Sequence, residues 1–166
     1  MRGNILASFP NGHGRICRKG SVSRMFLDVI VCNVLLPMDS PRLLIVEDFE
    51  DLRKLVAFYL DARGYQVLEA ANGRTAIESA KAGNPDFILL DLRLPDLNGV
   101  EVARELRKLP QTENIPIVGW SADFKSNPQQ KLLQHAGITD YLQKPTPLKE
   151  IYAVVERFLP MPERPN

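Results

Sequence analysis

Short apolar runs alternate with stretches of helical periodicity along residues 42–159 of this chain. The apolar runs predict five β-strands, at 43–46, 66–68, 87–91, 115–120 and 141–142. Between and after them, apolar side chains recur every three or four residues, which is the spacing of an amphipathic helix. Strands and helices that alternate in units of roughly 20–25 residues predict a doubly wound α/β fold with a five-stranded parallel sheet.

Asparagine, proline and glycine residues mark several of the predicted helix ends. The predicted helices and the apolar positions of each are the helix that Gly64 ends (Leu52, Leu55, Val56, Tyr59, Leu60), the helix after Asn72-Gly73 (Ala76, Ile77, Ala80), the helix from about 100 to 109 (Val102, Ala103, Leu106), the helix that Asn127-Pro128 opens and Gly137 closes, and the last helix, capped by Thr146-Pro147 (Leu148, Ile151, Val155, Phe158).

The run 87–91 is expected at the centre of the sheet. Its residues 87–90 are all apolar, which is typical of a strand buried on both faces. Asp91 ends the run, where the strand passes into a loop that holds Pro95 and Gly99. Open α/β sheets bind their ligands at such strand ends, so Asp91 is a metal ligand, a phosphoacceptor, or simply a polar residue that caps the loop.

Composition excludes few functions. The chain has 21 Lys+Arg and 20 Asp+Glu, so its charge does not indicate binding to nucleic acid or to a membrane surface. No apolar run approaches the ~18 residues that a transmembrane helix requires. Both cysteines, Cys17 and Cys32, precede residue 40 and make no disulfide framework, which favours a reducing, cytoplasmic location.

The first 40 residues differ from the rest of the chain. Residues 1–24 have no hydrophobic period, and we expect them to be disordered. Residues 25–37 are apolar, but Asp28 and Asn33 interrupt them and no signal cleavage site follows, so secretion is not expected. We hypothesise that translation begins at Met38; the alternative is a native basic tail or a weak membrane-associating arm. The predicted organisation is an extension (1–40), one domain (41–160) and a tail (161–166).

Polar or charged residues stand at the ends of four predicted strands: Glu47 and Asp48 after the first, Asp91 after the third, Ser121 after the fourth and Lys144 after the fifth. Right-handed crossovers place the carboxyl ends of all parallel strands at one edge of the sheet. If the strand order is 2-1-3-4-5, the first and third strands are neighbours, and the three carboxylates converge.

Three carboxylates share a pocket only if a positive charge joins them, because their repulsion would otherwise favour protonation. Oxygen ligands without histidine or cysteine favour a hard cation, so we expect Mg²⁺ rather than zinc. Lys144 adds a fixed positive charge and Ser121 a hydroxyl. This set suits the formation of an acyl phosphate on Asp91, because the cation and the ammonium neutralise phosphoryl oxygens during an in-line transfer.

Each residue alone also has an ordinary interpretation. Glu47 and Asp48 are compatible with an acidic helix N-terminus, Lys144 with a surface lysine, Ser121 with a turn, and Tyr141 with the core. Their joint position at one edge of the sheet favours a shared functional site over these ordinary interpretations.

The chain from about 42 to 159 resembles a response-regulator receiver domain of two-component signalling. The motifs that carry the likeness are Glu47-Asp48, Asp91 with Pro95 and Gly99 after it, Ser121-Ala122, and Lys144-Pro145. The resemblance implies a flavodoxin-like sheet of strand order 2-1-3-4-5, the order of a chemotaxis member of this family.

The resemblance also implies a metal site. Asp91 is then the phosphoacceptor, and Mg²⁺ is bound by Asp48, by Asp91 and by the backbone carbonyl of Arg93. Glu47 binds the ion through water.

The resemblance further implies a switch. Ser121 is then the switch hydroxyl, and Tyr141 is the aromatic residue that swings inward with it. Lys144 contacts the phosphate, and its peptide bond to Pro145 is cis.

Arg93 and Asp123 lie two residues beyond the phosphoacceptor and the switch hydroxyl, respectively. They are expected to flank the mouth of the pocket, where we hypothesise that they pair and hinder attack by water on the phosphate. A comparison of the dephosphorylation rates of Arg93→Ala and the parent tests this. Trp120, beside Ser121, is interpreted as half-buried packing whose fluorescence reports on the site.

The expected function is that of a phosphoacceptor. Mg²⁺-dependent transfer from a histidine kinase or phosphotransfer protein to Asp91 would switch a partner-binding surface at about 127–157. The residues after Leu159 are too few and too rich in proline to fold, so no output domain is expected. Two alternatives remain. One is a Mg²⁺-dependent phosphohydrolase, which Arg93 disfavours because it stands where a second carboxylate is needed; the other is a receiver-like scaffold that binds partners without phosphorylation.

Overall fold

A computed structural model describes residues 40–122 and 132–161. Its elements are β1 (Arg42–Val46), α1 (Glu50–Asp61), β2 (Gln66–Ala70), α2 (Gly73–Gly83), β3 (Phe87–Asp91), α3 (Gly99–Arg107), β4 (Ile117–Ser121), β5 (Asp140–Gln143) and α4 (Leu148–Phe158). Residues 132–135 are also helical. All neighbouring strands are parallel, and their order is β2-β1-β3-β4-β5, which confirms the predicted fold and strand order. None of the helices within these two ranges is long and apolar enough to cross a membrane.

The position of β3 at the centre of the sheet explains why its sequence is continuously apolar. All five of its residues are buried, and it lies between β1 and β4. Ile88 and Leu90 belong to the core on one face of the sheet, whereas Phe87 and Leu89 belong to the core on the other. Because helices cover both faces, a polar residue is excluded from either face until the strand ends at Asp91.

Backbone and side-chain caps fix several of the helix ends. The Asn72 side chain accepts a hydrogen bond from the Thr75 backbone N–H at 2.9 Å, and Asn98 accepts one from the Val100 N–H at 2.9 Å. These are the bonds that an N-cap residue supplies to otherwise unpaired helix donors. Gly64 and Gly137 have φ values of 96° and 79°, the left-handed conformation that suits glycine after a helix.

Several expectations about local structure were wrong in detail. Pro116 lies before β4 rather than inside it, since it has no N–H to donate; its carbonyl accepts from the Ile88 N–H at 3.0 Å. Pro147 rather than Thr146 occupies the N-cap of α4, and it makes no side-chain cap bond. Leu55, at a predicted apolar position, is 51% exposed, and Trp120 is fully rather than half buried.

Some predictions fall on residues outside the described ranges. These are the disorder of 1–24, the start at Met38, the helix opening at Asn127-Pro128 and the position of Asp123.

Candidate functional site

Three acidic residues meet at the carboxyl edge of the sheet. Glu47 and Asp48 follow β1, and Asp91 is the last residue of the neighbouring strand β3. One carboxylate oxygen from each lies within 4.8 Å of the others. Glu47 and Asp91 are buried, whereas Asp48 is exposed, so the cluster opens to solvent on the side of Asp48.

The ammonium of Lys144 joins two of these carboxylates. Lys144 follows β5, and its Nζ donates to Asp91 Oδ2 at 2.7 Å and to Glu47 Oε2. Its side chain is only 18% exposed, so both ion pairs are shielded from water. A half-buried amine between two carboxylates offsets the repulsion that their closeness would otherwise cause.

Burial dominates the protonation of Glu47. Removal from water raises its pKa above the ordinary glutamate value, and the negative charge of Asp91 raises it further. The hydrogen bond and the positive charge of Lys144 act in the opposite direction but are outweighed. A second positive charge at this position would therefore stabilise the ionised form.

The other oxygen of Asp91 is held by the loop that follows it. The Arg93 backbone N–H donates to Asp91 Oδ1 at 2.8 Å, and the Gly99 N–H donates to the Leu92 carbonyl at 3.1 Å. A Cβ atom on Gly99 would lie 2.5 Å from the Asp91 carbonyl oxygen and from Leu92 Cα. Gly99 therefore permits a close approach of α3 to the end of β3, which folds the loop back against that strand end.

Asp96 anchors the same loop, and the sequence reasoning missed it. Its carboxylate accepts from the Gly73 N–H at 2.8 Å and the Arg74 N–H at 3.0 Å, at the N-terminus of α2. Desolvation acts to raise its pKa, but these backbone donors together lower the pKa below the ordinary aspartate value. Four unpaired N–H groups at the predicted N-terminus after Asn72 were the available signal, since they require acceptors.

Ser121 lies at the same edge, but inside the sheet. It was expected to follow β4, whereas it is the last residue of the strand and is buried. The strand is longer because the Ser121 carbonyl accepts from the Lys144 N–H at 2.9 Å, which extends the pairing of β4 with β5. Tyr141 is half-buried in β5, opposite Gly119, and packs against the core that includes Ile88.

Trp120 contacts the Lys144 ammonium, and Thr146 in turn holds the Trp120 ring. The Lys144 ammonium lies 4.4 Å from the centre of the Trp120 ring, within the range of a cation–π contact. The Trp120 Nε1–H donates to the Thr146 hydroxyl at 3.0 Å, and that hydroxyl donates to the Gln143 carbonyl at 2.5 Å. Thr146 was predicted as a helix cap, and nothing in the sequence pattern indicated this other role.

Two further expectations concern the rim of the site. The peptide bond between Lys144 and Pro145 is cis, as predicted. Arg93 is exposed in the loop after β3. Asp123 lies outside the described residues, so the pairing of these two side chains stays a prediction.

Comparisons with known proteins agree with this architecture. The family model described as "response regulator receiver domain" matches residues 43–156. The autoinducer 1 sensor kinase/phosphatase LuxN of Vibrio campbellii is 35% identical over 128 residues, which are 76% of this chain and 14% of that protein. The aerobic respiration control sensor protein ArcB of Escherichia coli is 35% identical over 125 residues, 74% of this chain and 16% of ArcB. The matched region is thus about one seventh of the length of these sensor kinases.

Solved structures extend the likeness to the whole sheet. The chemotaxis protein CheY4 of Vibrio cholerae has a TM-score of 0.69 at 28% identity, with 72% of this chain and 99% of that chain covered. The receiver domain of the sensor histidine kinase PA1611 from Pseudomonas aeruginosa has a TM-score of 0.65 at 33% identity, with 72% and 97% covered. Its structure holds a magnesium ion coordinated in the active site cleft. The chain described here belongs to the response-regulator receiver family of two-component signalling.

Proposed function

We propose that this chain is a phosphoacceptor switch, in which Asp91 receives a phosphoryl group from the phosphohistidine of a histidine kinase or phosphotransfer protein. The observation that carries the proposal is the meeting of Glu47, Asp48 and Asp91 within 4.8 Å, with the Lys144 ammonium bonded to two of them. A cytoplasmic location, expected from the use of cysteine, is part of the same proposal.

The acidic residues fit a divalent cation. All candidate side-chain ligands are carboxylate oxygens, which suits a hard ion such as Mg²⁺. Asp48 and Asp91 would bind the ion directly, with the Arg93 carbonyl in the loop beside them, and Glu47 would bind it through water. When bound, the ion neutralises charge on the phosphoryl oxygens. The opening of the cluster at the exposed Asp48 gives the ion a route from solvent.

The chain's own residues supply the rest of the transfer. A carboxylate oxygen of Asp91 attacks phosphorus, the bond from phosphorus to the donor's imidazole nitrogen breaks, and the imidazole leaves with the electron pair. Lys144 Nζ already lies 2.7 Å from Asp91 Oδ2, so it can turn from that oxygen to the incoming phosphoryl group without crossing the site. Its positive charge then stabilises the charge that develops on the phosphoryl oxygens.

The phosphate adds about −1.5 to −2 charge at Asp91, which biases the switch. Ser121 ends β4 at this edge, and its hydroxyl is the proposed partner of a phosphate oxygen. Tyr141 lies on the adjacent strand β5, so an inward movement at Ser121 has an aromatic neighbour to repack. The proposed output is a changed surface at about 127–157, read by a downstream protein.

An experiment separates this function from the two alternatives. Beryllofluoride or acetyl phosphate is added with Mg²⁺ to the full chain while Trp120 fluorescence and intact mass are followed. A phosphoacceptor shows a fluorescence change and a phosphoryl adduct that Asp91→Asn abolishes. A phosphohydrolase would turn over acetyl phosphate without a lasting adduct, and a scaffold would not respond; either result contradicts the proposal.

A further inference from the structure

We infer that Arg53 is a positioning residue of this site, which holds the backbone of Glu47 and Asp48 in place and thereby raises the affinity for Mg²⁺. The inference rests on the proposed function, because the ligand it concerns is the ion proposed there. Arg53 itself does not contact the carboxylates of the cluster; it acts on the peptide units that carry them.

The contacts of Arg53 tie three segments together. From α1, its Nη1 donates to the Glu47 carbonyl at 2.7 Å and also lies 3.4 Å from the Asp48 carbonyl. Its Nε donates to Glu69 Oε2 on β2 at 3.2 Å. The Arg53 side chain is only 12% exposed, so these bonds are largely shielded from competing water. The guanidinium is thus fixed by a carboxylate on one side and holds two consecutive carbonyls on the other.

The acidic turn has few other restraints. Three residues, 47–49, connect β1 to α1, and the N-cap Phe49 makes no side-chain cap bond. The Glu47 N–H still pairs with the Ala70 carbonyl at 3.1 Å, which continues the β1–β2 ladder by one residue. Within residues 40–122 and 132–161, Arg53 is the side chain whose hydrogen bonds reach both carbonyls of the acidic pair. The Phe49 N–H also donates to Glu47 Oε1 at 3.4 Å, but this long bond does not reach the backbone of Asp48, which we therefore expect Arg53 to hold in place.

Charge and geometry predict opposite effects of removing Arg53. Loss of a nearby positive charge, taken alone, strengthens the binding of a cation. Loss of a fixed ligand backbone weakens it, because the ligands must then be ordered when the ion binds. The sign of the change in Mg²⁺ affinity therefore distinguishes a positioning role from a merely electrostatic one.

The chain offers a matched control in the next residue. Lys54 also carries one positive charge on α1, but it pairs with Glu50 on the surface, where both side chains are more than 60% exposed. Lys54→Met removes the same charge from the same helix without touching the acidic turn.

The test measures Mg²⁺ affinity in the full chain by titrating MgCl₂ and following Trp120 fluorescence. We expect Arg53→Met to weaken binding about tenfold, in the range that loss of an orienting residue behind a metal ligand produces. Arg53→Lys should recover only part of the affinity, because one ammonium does not reproduce the fork that meets the carbonyls and Glu69 together. Lys54→Met should leave the affinity within about twofold of the parent, since exposed charges are strongly screened.

A second variant keeps the test independent of folding defects. Glu69 is 40% exposed and reaches the acidic turn through Arg53, so Glu69→Gln should weaken Mg²⁺ binding about threefold, less than Arg53→Met does, with unchanged urea unfolding in EDTA. The weakening should persist at high ionic strength, where the loss of an exposed negative charge is screened and no longer weakens binding by itself. Mg²⁺ affinities of Arg53→Met and Glu69→Gln equal to or tighter than the parent's would overturn the role of Arg53. Absence of Mg²⁺ binding by the parent would instead contradict the proposed function, and the inference with it.

Discussion

Two half-buried cations lie at opposite ends of the sheet, and their partners differ in kind. Lys144, after β5, bonds the carboxylates of Glu47 and Asp91 at the carboxyl edge. Arg107, at the end of α3, donates only to neutral groups within the described residues, which are backbone carbonyls and the Thr139 hydroxyl at 3.5 Å, near the starts of β4 and β5. Its acceptors are the carbonyls of Thr112 (2.7 Å), Glu113 (3.2 Å), Ile115 (2.7 Å) and Gly137 (2.6 Å).

From this difference we infer which of the two cations can exchange its partners. The carbonyls around Arg107 belong to the folded backbone, so no ligand can replace the guanidinium without opening the loops that it holds. Burial lowers the pKa of Arg107, but the group stays charged because its ordinary value is far above neutral. Lys144 instead bonds side-chain oxygens that a metal ion or a phosphoryl group can also engage. Arg107 therefore supports the folded backbone, whereas Lys144 is the cation that we propose acts in phosphoryl transfer.

The largest expected effect is on phosphorylation in Lys144→Met. Removal of the ammonium deletes a preorganised positive charge from the transfer, which should slow phosphorylation by acetyl phosphate about 10²-fold or more. The measurement is the rate of adduct formation by intact mass at saturating Mg²⁺. Lys144→Arg is the control. It keeps the positive charge but changes its shape, so its phosphorylation rate should lie between those of the parent and Lys144→Met. A rate for Lys144→Met within threefold of the parent would contradict the role of Lys144.

The second largest expected effect is a loss of stability in Arg107→Met. Four carbonyls lose their donor in a half-buried position, so we expect the free energy of unfolding to fall by about 3 kcal/mol. Urea unfolding measures the loss, and Arg107→Lys should restore part of it. The phosphorylation rate per folded molecule should stay within about twofold of the parent, because Arg107 lies at the other end of the sheet. A slower phosphorylation rate in fully folded Arg107→Met would contradict a purely structural role for Arg107.

The sequence predicted the carboxyl edge far better than the opposite edge, for a physical reason. A charged residue directly after a buried apolar run, such as Asp91, can only lie where the strand leaves the core, and parallel strands share that edge. The convergence of Glu47, Asp48 and Asp91 therefore follows from strand order alone. Arg107 gives no comparable signal, because a basic residue in the last turn of a helix is ordinary at the surface as well.

The contacts that the sequence did not predict are made by polar side chains that reach across loops. Asp96 bonds the N-terminus of α2, Arg53 bonds the carbonyls of the acidic turn, and Thr146 bonds Trp120 and a carbonyl. Hydrophobic periodicity locates elements but not the path of the loops between them, so the partners of these polar groups were not predictable. Leu55 shows the same limit on a helix, since spacing identified a stripe but not how far the sheet covers it.

The smallest expected effect is a difference between the two ends of the sheet in how the free energy of unfolding depends on pH. Burial raises the pKa of Glu47 in the folded chain above the value of 4.5 for the ordinary side chain, so the folded state binds this proton more tightly than the unfolded state. The contribution of Glu47 to the free energy of unfolding is therefore fully present below pH 4.5 and is lost as the pH rises through the raised pKa.

Measured in EDTA, the free energy of unfolding of the parent minus that of Glu47→Gln should thus decrease with rising pH and level off above the raised pKa, because glutamine does not titrate. The corresponding difference between the parent and Arg107→Met should stay flat over the same range, because the guanidinium remains protonated throughout. Mg²⁺ should stabilise the parent more at a pH above the raised pKa of Glu47 than below it, because the ionised carboxylate favours the cation and an ion that binds only the folded state raises its stability by mass action. A difference for Glu47→Gln that increases with pH would mean that Lys144 outweighs burial, and that the amine alone already satisfies the carboxylates that we assign to the metal.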